Sequence, residues 1–196
     1  MDEEIDIPDW QKTEPIERPK CSQYKCEKDL HSFRRRRPGA ESYRNGSCIG
    51  CGVNPIDWPR LDKRDINDVE YTFKSLNNEL VRHYYLTVPI DQAAISSASR
   101  KGLSGLREWI PKRLVSSVGL PSSELFRDGM QTPTVGNVVF YAQHATACCC
   151  RKCMEEWHGK DRETTLEKTD IGYFTDLILS FVKVRLPSLP TNGLVR

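Results

Sequence analysis

The sequence predicts a mainly α-helical protein carrying a small N-terminal β-hairpin module, and three observations support that expectation. Apolar residues recur at helical spacing through most of the chain after Pro59. Before Pro59, two cysteine pairs bracket a stretch poor in aliphatic side chains, which cannot bury a core of its own and needs another staple. Hydrophobic residues make up 38% of the 196 and charged residues 29%, enough for one main core with a small appendage rather than two full domains.

Residues 1–20 are acidic, contain Pro8, Pro15 and Pro19 and lack apolar periodicity, so they read as a flexible leader with Trp10 as a possible anchor. Residues 20–59 form the cysteine-bearing module, and 60–187 the helical domain. Ile66, Val69, Phe73, Leu76, Leu80 and Tyr84 predict one helix over about 66–83, with Asp65 as its N-cap. Tyr84 to Val88 suits a short strand before Pro89. Ile90 to Lys101 predicts a helix closed by Gly102, and Leu103 to Val115 another, with Leu106, Ile110 and Leu114 on one face. Pro121, Gly129, Pro133 and Gly136 mark a long loop, a frequent site of function. Val138 to His158 predicts a helix capped by Asn137, although Val138 to Tyr141 alone suits a strand. Thr164 and Glu167 form a capping-box pattern ahead of Ile171, Phe174, Leu177, Ile178, Phe181, Val182 and Leu186, a final helix expected at the centre of the core and ended by Pro187. Residues 188–196, with Pro190 and Gly193, read as a flexible tail.

A net charge of +2 is too small to imply nucleic acid on composition alone, so any basic patch must be local. The acidic start does not resemble a signal peptide, and no run of apolar residues is long enough to span a bilayer. These features predict a cytoplasmic setting without membrane contact, and a reducing compartment turns eight cysteines toward metal ligation rather than disulfides.

Cys21 and Cys26, then twenty-one residues, then Cys48 and Cys51 supply four soft thiolates in two pairs, the donor set of a closed tetrahedral zinc site. Gly50 and Gly52 suit the tight turn at the second pair. With all four positions taken by protein, the zinc would be structural. Cys21, Cys26, Lys28, Leu30, Phe33, Gly46, Cys48 and Cys51 resemble the zinc-ribbon or treble-clef modules that precede phage and bacterial HNH endonucleases, with four residues rather than two inside the first pair. The four histidines, His31, His83, His144 and His158, do not compose an HNH motif, so the resemblance implies a fold and not nuclease activity. Between the pairs, Arg34, Arg35, Arg36 and Arg37 are candidates for contact with DNA or RNA phosphates, or else a solvated surface run.

A second cluster packs His144, Cys148, Cys149, Cys150, Cys153 and His158 into fifteen residues. One straight helix cannot turn all six toward a single ion, so either the segment breaks near Cys148 or a metal takes only part of the set, with His144, Cys149, Cys153 and His158 as candidates. Buried cysteine packing explains the cluster almost as well. A zinc-deaminase reading fails, since His144 is not followed two residues later by Glu. His144, Glu155 and Gln131 are the candidate catalytic groups, should chemistry occur here. Gln131-Thr132-Pro133, Gly136, Val139-Phe140, the run from Ala142 to Ala147, the run from Cys149 to Cys153, and Trp157-His158-Gly159 resemble the bacterial and phage family known as domain of unknown function 4186, over about residues 66–186. That resemblance brings no activity, but implies that the loop and the second cluster form one site.

Walker, Rossmann and nucleophile-elbow motifs are absent from the sequence, and Gly102 to Gly105 only faintly suggests a phosphate nest. The expectation is a zinc-binding, nucleic-acid-associated accessory protein, with a metal- or thiol-dependent enzyme built on the segment from His144 to His158 as the alternative.

Overall fold

The computed structural model describes residues 17–35 and 45–193. The leader through residue 16, with Trp10, together with Arg36, Arg37 and the last three residues, lies outside the described residues. Two antiparallel strands, β1 (Phe33–Arg35) and β2 (Asn45–Cys48), pair with Phe33 opposite Cys48 and Arg35 opposite Asn45. Seven helices follow: α1 (Trp58–Asp62), α2 (Val69–Leu76), α3 (Leu80–Thr87), α4 (Gln92–Val118), α5 (Val138–Ala145), α6 (Arg151–His158) and α7 (Lys168–Arg185). The mainly helical fold with an N-terminal hairpin is the predicted one.

The last helix holds the centre. Phe174, Leu177, Ile178, Phe181 and Val182 are fully buried, and α7 packs on α2, α4 and α5. Its capping box uses Glu167 and Asp170, one turn later than the sequence suggests, while the Thr164 hydroxyl donates to the Asp161 carbonyl. The carboxylate of Asp170 also pairs with Arg64 at 3.0 Å and Lys160 at 2.6 Å. Burial pushes this carboxyl up, but the Lys160 hydrogen bond, the Glu167 amide and the two cations outweigh it and hold the group below its ordinary range.

Gly102 divides α4 where expected, with φ 64° and ψ 178°, a region open essentially to glycine. The amides of Leu103 and Ser104, which a phosphate nest would need free, donate to the carbonyls of Pro190 and Thr191 at 2.9 and 2.8 Å. Residues 188–193 therefore dock along α4, and Leu189 is buried. The sequence suggested a loose tail because this docking uses backbone groups, which no side-chain pattern announces.

Two long predicted helices are broken. The segment 66–83 forms a 3-10 turn at Ile66–Asp68, then α2, then α3, which continues through Thr87 in place of the expected strand. The break admits a β-bridge: His31 N–H donates to Asn78 O at 2.8 Å, and Leu80 N–H to His31 O at 2.9 Å. Leu76 and Leu80 face the core on both sides of it, so the apolar period runs through unbroken. The segment 138–158 splits at Ala147, whose φ of 56° is left-handed, and Asp128 Oδ1 accepts the Arg151 amide at 3.1 Å to start α6.

The hairpin is not a free appendage. Phe33, Trp58 and Trp157 form an aromatic cluster with ring centroids 5.3–6.1 Å apart, joining β1, α1 and α6 in the main core. Gly46 is required there: at φ 91°, its missing Cβ would lie 2.1 Å from Trp58 Nε1. No helix among the described residues is long and apolar enough to cross a membrane.

Candidate metal centres

Cys26, His31, Cys48 and Cys51 bring one ligand atom each within 4.8 Å of one another. Cys26 Sγ lies 3.7 Å from Cys48 Sγ, and Cys51 Sγ 3.5 Å from His31 Nδ1. A tetrahedral ion with bonds of about 2.3 Å to sulfur and about 2.0 Å to nitrogen has edges of about 3.8 Å (sulfur to sulfur) and about 3.5 Å (sulfur to nitrogen). These two pairs thus stand at coordination spacing, and the other pairs lie within 4.8 Å. The Gly50 amide donates to Cys48 Sγ at 3.4 Å. Burial disfavours the Cys48 thiolate, but amide hydrogen bonds from Ser32, Cys51 and Gly50 and the His31 side chain outweigh it, bringing the thiol down to about 6. Cys26 is pushed up to about 12, first by burial and then by its hydrogen bonds to Cys51 and Cys48.

The predicted quartet is therefore changed in one member. Cys26, Cys48 and Cys51 come together as expected, and His31 stands where Cys21 was expected. The reason lies in the fold: the bridge to Asn78 and Leu80 fixes the His31 backbone and turns its ring toward Cys51, while the chain before Cys26 runs elsewhere. Sequence reasoning missed His31, although a histidine five residues beyond Cys26 gives the same spacing that separates Cys21 from Cys26.

The second group consists of Cys149, Cys150 and Cys153, buried at the start of α6 with ligand atoms within 4.8 Å of one another. Hydrogen bonds from Cys149, Cys150 and Cys21 to Cys153 pull its thiol well below the ordinary range. Cys148 stands apart, its thiol donating to Thr146 O at 3.3 Å. Around the group lies a buried polar network. Arg82 Nη2 reaches Cys153 Sγ at 3.3 Å, Arg82 Nε pairs with Glu79 at 2.9 Å, and Trp157 Nε1 donates to Glu79 at 2.8 Å. Arg34 pairs with Glu156 of α6 at 2.5 Å and donates to the Cys21 carbonyl.

The histidines proposed for this group are used differently. His144 Nε2 meets the carbonyls of Thr132 and Pro133 at 3.2 Å each, its ring stacks on Tyr85 at 4.4 Å, and burial followed by the nearby Arg82 charge brings it down to about 4. His158 Nε2 meets Thr146 O at 2.9 Å, and its ring packs edge-on against Tyr173 and Phe174. Gln131 folds into its own loop, accepting from the Gly129 amide and donating to the Phe126 and Arg127 carbonyls. Glu155 accepts from the Arg162 amide at 3.4 Å. The loop and second cluster do adjoin, since Thr132 Oγ1 donates to Cys149 O at 2.9 Å.

A family model described as Domain of unknown function (DUF4186) matches residues 70–183, more than half of the chain. The chain belongs to the DUF4186 family. Within the DUF4186 match lie α3 to α6 and the second thiol group, whereas the hairpin and its Cys/His group precede it. No solved structure matches the chain.

Proposed function

We propose that this DUF4186 protein is a zinc-dependent, nucleic-acid-associated accessory protein, in which Cys26, His31, Cys48 and Cys51 hold a closed structural zinc ion. Three thiolates and an imidazole at tetrahedral spacing suit zinc, and a closed set leaves no position for a reacting water. The observation that carries the nucleic-acid reading is the strand register. Phe33 lies opposite Cys48 at the metal end of the hairpin and Arg35 opposite Asn45 at the other, and the sequence between these strands, outside the described residues, carries Arg36, Arg37 and Arg44. A metal-stapled hairpin whose connecting sequence is rich in arginine suits phosphate contact, and the likeness to the modules that precede HNH endonucleases points the same way. Arg34 is assigned a different role, since its guanidinium holds Glu156 and the Cys21 carbonyl.

Fluorescence anisotropy with labelled single- and double-stranded DNA and RNA at several salt concentrations tests this. Affinity should fall steeply with salt, and neutralising Arg36 and Arg37 together should flatten the logarithmic slope by about one per lost phosphate contact. Absence of binding to every probe, or binding indifferent to salt and to the substitutions, refutes the reading.

A further inference from the structure

The second thiol group has three cysteines from the DUF4186 domain and a fourth neighbour from outside it. The Cys21 thiol, on the segment preceding the hairpin, hydrogen-bonds to Cys153, and Arg82 and Glu79 act electrostatically on both sulfurs. Its backbone is held in place, because Ser32 Oγ donates to Cys21 O at 3.1 Å and Arg34 donates to the same oxygen while pairing with Glu156 of α6. Cys150 is the N-cap residue of α6 and Cys153 lies in its first turn, where the helix dipole favours thiolates.

The geometry points to a second metal site in which Cys21, Cys149, Cys150 and Cys153 bind one zinc ion through four thiolates, clamping the N-terminal segment onto the DUF4186 domain. The donor set is chemically matched: Cys149, Cys150 and Cys153 bring their sulfurs within 4.8 Å of one another, Cys21 adds a fourth thiol beside Cys153, and four soft ligands select zinc over hard cations. Four thiolates on a divalent ion carry a net charge of −2, and a buried site needs compensation for it. Arg82 supplies part of this, with Nη2 at 3.3 Å from Cys153 Sγ and Nη1 at 4.0 Å from Cys149 Sγ, in the way hydrogen-bond donors commonly support metal-bound sulfur. With this site the cysteines divide cleanly: three join His31 in the first group, four form the second, and Cys148 packs against Thr146 O.

The test uses the full chain purified without chelator. Elemental analysis should give two zinc ions per chain, and zinc-edge absorption should fit an average shell of three and a half sulfurs and half a nitrogen. Cys51→Ser should retain the second ion. Cys21→Ser, a near-isosteric change on the segment before the hairpin, should retain the first ion and release the second to a chelator at least tenfold faster than the parent protein, with an unchanged circular dichroism spectrum. One zinc per chain that disappears with Cys51→Ser, a disulfide within the second group detected by mass, or a Cys21→Ser protein that holds two ions as firmly as the parent each overturns the proposal. The first and last of these outcomes leave the Cys26, His31, Cys48 and Cys51 site intact, so failure here is distinguishable from failure of that reading.

Discussion

Glu79 and Arg82 form a buried ion pair, Nε to Oε2 at 2.9 Å, with each side chain only 2% exposed. Their partners differ: Glu79 accepts from Trp157 Nε1, and Arg82 reaches the sulfur of Cys153 and the carbonyl of His144. Burial pushes the Glu79 carboxyl up to about 7 against the pull of Arg82 and the indole N–H. Removing the cation leaves an uncompensated carboxylate, so Arg82→Met should cost about 3–5 kcal/mol in urea unfolding. Removing both charges in Arg82→Met with Glu79→Gln should recover part of that loss. A double variant no better than the single one would show that Arg82 acts through the sulfurs alone.

His31 provides a sharp test of the first metal group. His31→Ala removes one of four donors and should weaken zinc retention strongly, whereas His31→Cys should keep the metal and raise the thiolate-to-cobalt charge-transfer absorption of the cobalt-substituted protein. Equal zinc retention by His31→Ala and the parent protein would remove His31 from the ligand set.

Arg34 and its sequence neighbours should separate in their effects. Arg34 is pinned between Glu156 and the Cys21 carbonyl, so Arg34→Gln should lower stability by about 1–3 kcal/mol, the scale of a lost charge-assisted hydrogen bond, with little change in nucleic-acid affinity. Arg36→Gln with Arg37→Gln should do the reverse. Paired thermal melts and anisotropy titrations on the two proteins decide it.

These cases show what a linear reading can reach. Helices α4 and α7 were legible because the apolar faces of Leu106, Ile110 and Leu114, and of Phe174 through Val182, meet one core. Gly102 was legible as a break because only glycine adopts its backbone. The α2–α3 break was hidden, since its cause is a backbone bridge to His31, forty-six or more residues earlier, with no side-chain signature. The same bridge sets the His31 ring beside Cys51, which a linear reading centred on the cysteines did not foresee. Cys149 and Cys153 were visible as a pair, but the approach of Cys21 depends on how the first strand lies over α6. His144 and His158 looked like ligands by proximity in sequence, and their carbonyl partners come from a loop and a turn that only the folded chain assembles.

Gly102 combines backbone and steric constraints. A Cβ there would stand 2.5 Å from the Asn192 carbonyl carbon, on top of a φ of 64° with ψ of 178°. Gly102→Ala should therefore destabilise by about 1–3 kcal/mol from backbone strain and further by displacing the docked tail. Amide exchange at Leu103 and Ser104, whose N–H groups donate to Pro190 and Thr191, should quicken with it. Unchanged protection at both amides would show that the tail does not depend on the close approach.

Asp170 sets an acid limit that can be separated from metal loss. Its carboxyl is depressed in the folded protein, so the unfolded chain binds the proton more tightly and stability falls as pH drops. Its contribution is fully present above the unfolded value near 3.8 and disappears as pH falls through the lower folded value. Asp170→Asn removes the charge that Arg64 and Lys160 face, at a cost of about 3–5 kcal/mol near neutrality, typical of a broken buried pair. Thiolate protonation affects the parent and variant proteins alike, so the difference between their urea midpoints isolates Asp170. That difference should be constant from pH 7 to about 5 and shrink below pH 4, where the parent carboxylate begins to take up its proton. A gap that stays constant down to pH 2 would mean that packing, rather than the ionised carboxylate, holds this junction of α6 and α7.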